Sequence, residues 1–248
     1  LILAAGYGSD SSLWRVPVSG SSRAARLTFG EAAVESDVAA AGGRLVFSRL
    51  DGESHIWSLE FDHSGRVTSA AVKSFESSRS ELSPAFSPEG SRVAFGSNRS
   101  GSDEIWVCRS DSSDCSQLTS FKGTHPGSPA WSPDGQWILF DVSRADGWEV
   151  DVIRASGGKP RRLAAGMLPK WSRDGQRIYY QCGAQFQICQ MPFPSGEPVK
   201  LGEGFMPRES PDGKWLYSLA RPTESHGAFE VRRKSLTDAD AADEVLPV

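Results

Sequence analysis

Short apolar runs alternate with polar turns along the chain, and no stretch spaces its apolar residues like one face of a helix. The clearest unit runs from Arg79 to Gly123. Ser83-Pro84-Ala85-Phe86 reads as a first strand, where proline is tolerated because its missing N–H need not enter a ladder. In the turn Ser87-Pro88-Glu89-Gly90, Pro88 presets φ and Gly90 supplies a permissive last position. Val93-Ala94-Phe95-Gly96 is a second strand, apolar on both faces as a strand between neighbouring sheets should be. A polar link leads to a third strand, Glu104-Ile105-Trp106-Val107-Cys108. The turn from Asp111 to Asp114 leads to a fourth, Ser116-Gln117-Leu118-Thr119.

The same order recurs. Later copies place strands at 129–131, 138–140, 150–153 and 162–163, then 169–171, 178–180, 187–189 and 199–201, then 206–208, 215–217, 229–231 and 245–246. Their turns are Ser132-Pro133-Asp134-Gly135, Ser172-Arg173-Asp174-Gly175 and Ser210-Pro211-Asp212-Gly213. Upstream, 38–40, 45–47 and 55–59 surround a worn turn, Ala40-Ala41-Gly42-Gly43. The final glycines lie 47, 45, 40 and 38 residues apart. A period near 40 made only of strands and turns is a propeller-blade signature. The expected fold is therefore all-β: a single β-propeller domain over 1–248, of four-stranded antiparallel blades, about six of them visible. They cover approximately 1–30, 31–78, 79–123, 124–166, 167–204 and 205–248.

The first copy has strands only at 1–4, 13–16 and 26–28, the second to fourth of a blade, and lacks its opening strand. Either the ring closes around a three-stranded blade, or these are consecutive blades of a larger propeller. With a start at Leu1 rather than Met, this creates the expectation of a fragment of something longer.

Composition agrees with one large core. The 248 residues are 38% hydrophobic, with eight Trp and twelve Phe, and 25 Gly and 15 Pro serve many turns. A net charge of −4 and a pI near 5.6 provide no basic surface, so no direct nucleic-acid partner is expected. The basic clusters Lys159-Pro160-Arg161-Arg162 and Arg232-Arg233-Lys234 read as solvated strand faces. No run approaches the eighteen apolar residues of a spanning helix, and membrane insertion is not expected. Cys108, Cys115, Cys182 and Cys189 form no CxxC, which disfavours zinc. Cys108 and Cys115 flank a hairpin turn and could pair across it, but the default expectation is reduced, packed thiols.

Catalytic machinery is not expected. There is no Gly-x-Ser-x-Gly elbow and no phosphate-binding glycine pattern opening a helix. Asp134, Asp174 and Asp212 sit where aspartate caps its own turn. His63 falls on the wrong face for a central metal. His55, His125 and His226 come from separated blades, so neither a metal nor another cofactor is expected. Binding is expected on the face that carries inter-blade connections and second-to-third strand loops. Arg79, Glu81, His125, Lys170, Arg208 and Glu209 are placed at its funnel mouth. Asn98, Arg99, Asp103, Trp148 and His226 are placed further out. Together they read as a mixed-charge rim for a protein or peptide, against the bland alternative that water wets any such rim.

The pattern Ser-Pro-x-aromatic-Ser-Pro-Asp-Gly, then an apolar run, Ser-Asn-Arg-Ser-Gly, Ile-Trp and Gln-Leu-Thr resembles the WD-like repeats of TolB-type β-propellers. The resemblance covers nearly the whole chain, sharpest over 82–121 and 128–164 and weak over 31–78. Trp14, Trp57 and Trp106 occupy a third-strand position that later blades give to Asp151, Cys189 and Arg232, which implies different packing between blades there. The resemblance implies a propeller of six or more blades, a binding role, and a bacterial periplasm or cell-envelope setting. Similar repeats also gate prolyl-oligopeptidase-like enzymes and follow winged-helix domains in bacterial regulators. The leading expectation is a non-enzymatic scaffold or sensor that binds a protein or peptide. The alternatives are a propeller-fold lyase or hydrolase acting on a polysaccharide or peptide, and an accessory propeller of a larger regulator or peptidase.

Overall fold

The structure, a computed structural model, describes residues 2–5, 12–15, 23–27, 33–38, 43–51, 53–62, 66–75, 77–121, 123–183, 186–220, 230–238 and 241–246. All regular structure among them is β, in one three-stranded and five four-stranded sheets, each antiparallel and in chain order. The first blade holds β1 (Ile2–Ala5), β2 (Ser12–Arg15) and β3 (Ala25–Arg26), and the second β4 (Ala33–Val38), β5 (Arg44–Asp51), β6 (Glu53–Glu60) and β7 (Val72–Ser74). The third comprises β8 (Glu81–Phe86), β9 (Arg92–Ser97), β10 (Glu104–Arg109) and β11 (Ser116–Gln117). The fourth comprises β12 (His125–Trp131), β13 (Trp137–Arg144), β14 (Gly147–Arg154) and β15 (Arg161–Ala165). The fifth is β16 (Met167–Trp171), β17 (Arg177–Cys182), β18 (Gln187–Pro192) and β19 (Val199–Glu203), and the sixth β20 (Phe205–Glu209), β21 (Trp215–Ala220), β22 (Glu230–Ser235) and β23 (Glu244–Leu246).

The four-stranded propeller blade and the incomplete first copy are as the repeats imply. The three-stranded blade joins both neighbours. Leu13 packs with Leu45, Phe47 and Leu59 of the second blade, while Ala24 packs against Tyr217, Leu219, Val231 and Leu246 of the sixth. One strand moves: the first strand of the second blade is β4, ending at Val38, rather than 38–40.

The turns explain themselves chemically. In all four Ser-x-Asp/Glu-Gly turns the glycine N–H donates to the serine carbonyl at 2.8–3.0 Å, with the glycine at φ near +70°. Ser132, Ser172 and Ser210 hydroxyls bond to Asp134, Asp174 and Asp212 and also accept from backbone N–H groups of the next strand. Those bonds hold all three aspartate carboxyls below their usual range. These aspartates are punctuation, as expected.

Repeated side-chain devices join neighbouring blades through indoles and brace single blades through arginines. The Trp131 indole donates to the Ala85 carbonyl and the Trp171 indole to the Ala130 carbonyl, both at 3.1 Å. Arg49 lies over the Trp57 ring and Arg99 over Trp106, at 5.4 and 5.2 Å. In the fourth blade Asp151 replaces the tryptophan, and Arg144 makes an ion pair with it at 2.7 Å. The changed residue thus alters how an arginine is held, by ring face or by carboxylate.

The cysteines require a correction. All four are paired, Cys108 with Cys115 and Cys182 with Cys189, rather than reduced. Each bond closes a short hairpin within one blade. Cys182 lies opposite Gln187 in the β17–β18 ladder, two residues from Cys189, so the hairpin brings the two sulfurs within bonding reach.

Candidate functional site

The first strands of the third to sixth blades share a kink. Ser83, Ser128, Leu168 and Met206 adopt left-handed φ values of 48–55°, each at a register shift against its second strand. Such bulges re-aim the residues beside them. The second strands answer with one position, opposite Ile56, Ile105, Val150 and Ile188 of the third strands: Ser48, Gly96, Asp141 and Gln181. Ser48 Oγ accepts from the Ser83 N–H at 3.0 Å, and Asp141 Oδ2 accepts from the Leu168 N–H at 2.8 Å.

In the third blade that position is Gly96. A Cβ there would stand 3.6 Å from the Pro126 carbonyl and 3.9 Å from Gly127 Cα, ordinary contacts. Gly96 lines a cavity of about 260 Å³ on the connection face across the third to fifth blades. Asp141 is its buried carboxylate. Burial pushes the Asp141 carboxyl up, against bonds from the Leu168 N–H and the Ser128 hydroxyl and the charge of Lys170. At the rim, His125 Nδ1 meets Asp103 Oδ2 at 2.5 Å and ties the third blade to the fourth. Leu82 and Trp148 flank the opening, 43% and 41% exposed.

The structure gathers three of the sequence-derived rim residues here: Asp103, His125 and Trp148. Others go elsewhere. Glu81 is completely buried and pairs with Arg99 at 2.6 Å, while Arg99 also donates to the Phe75 carbonyl and lies over Phe95. Burial raises the Glu81 carboxyl, opposed by Ser77 and Arg99. The pair lies within the third blade, where the Arg99 bond to the Phe75 carbonyl also ties it to the end of the second, and it is not an open contact surface. Glu209 lies on the opposite, turn-bearing face, where it accepts from the Arg173 N–H at 3.2 Å. Lys170 and Arg208 are half-buried, each next to the last residue of its first strand, Arg79 is exposed ahead of β8, and Asn98 follows β9 with its Oδ1 buried. His226 lies outside the described residues.

Sequence reasoning missed Gly96, Asp141 and Leu82. The signal was present: aligned copies place Ser48, Gly96, Asp141 and Gln181 at one position of otherwise apolar strands.

A family model described as the TolB beta propeller domain matches residues 61–242. The chain belongs to the TolB β-propeller domain family. No curated protein matches the chain. Among solved structures, TolB from Acinetobacter baumannii is similar over 94% of this chain at 16% identity, with a TM-score of 0.72. This TolB-family chain spans 60% of that protein's length. A protein described as a TolB from Agrobacterium tumefaciens matches at TM-score 0.74 and 16% identity, over 92% of this chain and 84% of its own. A chain of a nidogen/laminin complex matches at TM-score 0.77 and 12% identity, over 100% and 93%. With TM-scores of 0.72–0.77 at identities this low, the likeness shows a shared fold alone.

Proposed function

We propose that this TolB-family propeller is a non-enzymatic module that recognises a protein or peptide at the connection face of its third and fourth blades. The carrying observation is the cavity lined by Gly96, flanked by exposed Leu82 and Trp148 and edged by the Asp103–His125 pair. An exposed indole beside a preformed concavity has the makings of an interface anchor. Two adjacent blades hold these groups in place, so little ordering cost falls on binding. The nidogen/laminin complex is an assembly of two proteins, which supports this reading by analogy of fold only. Two disulfides and no free cysteine support maturation in an oxidising compartment.

The reading is tested with a photo-crosslinking amino acid placed at Trp148 or, as control, at exposed Val199 on β19. The expected result is a discrete crosslinked partner from position 148 alone. Equal products from both positions, or none from 148, would overturn it.

A further inference from the structure

The cavity is smaller than the 300 Å³ or more typical of sites for drug-sized ligands, so it suits a single side chain. Its charged lining is acidic. Asp141 is buried within it and Asp103 stands at its edge, and His125 is already engaged with Asp103. Lys170 acts on Asp141 from β16 but is not part of the lining. An anion entering here would face two carboxylates. A purely apolar group would seal Asp141 further from water and give its charge nothing in return.

We propose that this cavity takes the side chain of a lysine presented by the partner, its ammonium drawn by Asp141 and Asp103 and its methylene stem lying along Leu82, Pro126 and Trp148. The inference rests on the reading of the cavity as the recognition site.

Three features favour lysine over arginine. Asp141 Oδ2 is committed to the Leu168 N–H, so the carboxylate does not offer the free fork that a guanidinium matches best. Lysine is a compact point charge on an apolar stem, and the walls are largely apolar, with Ser80, Ser83 and Ser128 among the lining residues. The exposed Trp148 indole also attracts a cation to its face.

Lys170 and two hydrogen bonds act on Asp141 yet its carboxyl stays raised, and a cation brought into the cavity would favour the ionised form. The groups facing Asp141 are Ser128 on β12 and the Leu168 N–H and Lys170 on β16, with the Asp103–His125 pair at the rim. Binding needs the ionised carboxylate. Affinity therefore rises with pH through the Asp141 titration.

The experiment pans a random-sequence displayed peptide library against the whole chain, then measures the selected peptides on wild type, Gly96→Leu and Asp141→Asn. Selected peptides should share a lysine. Replacing it by norleucine or arginine should weaken binding about tenfold or more, the size of a lost charge-assisted hydrogen bond. Gly96→Leu, which fills the space, and Asp141→Asn, which removes the charge, should each cause a similar loss. Should Gly96→Leu melt early, Trp148→Ala at an exposed site serves in its place.

Peptides without lysine that still lose binding on filling the cavity would overturn the lysine assignment and leave the recognition site standing. Lysine peptides indifferent to Asp141→Asn would overturn the assignment as well. Binders unaffected by Gly96→Leu and Trp148→Ala, or no binders, would overturn both.

Discussion

Replacing Arg99 by alanine would leave the fully buried Glu81 without the guanidinium 2.6 Å away. Breaking a buried pair from one side typically costs about 3–5 kcal/mol. Arg99→Ala should accordingly lower the unfolding midpoint by roughly 6–20 °C in a chain of this size, measured by thermal melting. Asp141 is shifted in the same direction as Glu81, and its substitution can be read through pH. Its carboxyl is raised, so the folded state holds its proton more tightly than the unfolded chain does. That contribution is fully present below the unfolded pKa and is lost as pH rises through the folded one. Asp141→Asn keeps an acceptor for the Leu168 N–H without an ionisable group. The variant should therefore gain melting temperature relative to wild type as pH rises through that window, and lose its advantage in acid. A variant that melts lower than wild type at neutral pH would show that Asp141 supports the fold more than it burdens it. Such a cost, retained at a cavity, fits a residue kept for binding.

At the scale of the element, each disulfide closes a hairpin loop between cysteines seven residues apart. Loop-closure entropy assigns about 2.5 kcal/mol to a crosslink of that span. Reduction should lower the melting midpoint, and Cys108→Ser and Cys182→Ser should each reproduce part of the drop without reductant. The indole stitches predict a second effect. Trp131→Phe keeps most of the ring but strands the Ala85 carbonyl and should cost about 1–3 kcal/mol, read as a shift in denaturant midpoint with unchanged slope. Elements were the most legible feature of the chain. Turns such as Ser132-Pro133-Asp134-Gly135 state their geometry locally, through a proline φ, a cap and a left-handed glycine. The register of β17 against β18 is not local in that way, and the proximity of Cys182 to Cys189 follows from it.

At the scale of the molecule, the repeat period carried the blade architecture, while the site was only partly readable. Asp103, His125 and Trp148 could be assigned to one face because their loops lie on it. The cavity is lined by residues of three blades, Gly96 among them, and a glycine within a strand has no hydrophobic pattern to announce it. Glu81 and Arg99 resembled rim charges in sequence, yet the fold buries them as a pair within the third blade. The placement of the covalent bonds also matters. Both disulfides begin and end within a single blade, and the contact described from the first blade to the sixth is side-chain packing at Ala24. Neither crosslink spans that junction. Under mechanical load applied across the ring, the seam between first and sixth blades should part before either crosslinked hairpin is stretched, and oxidation should leave the opening force there unchanged.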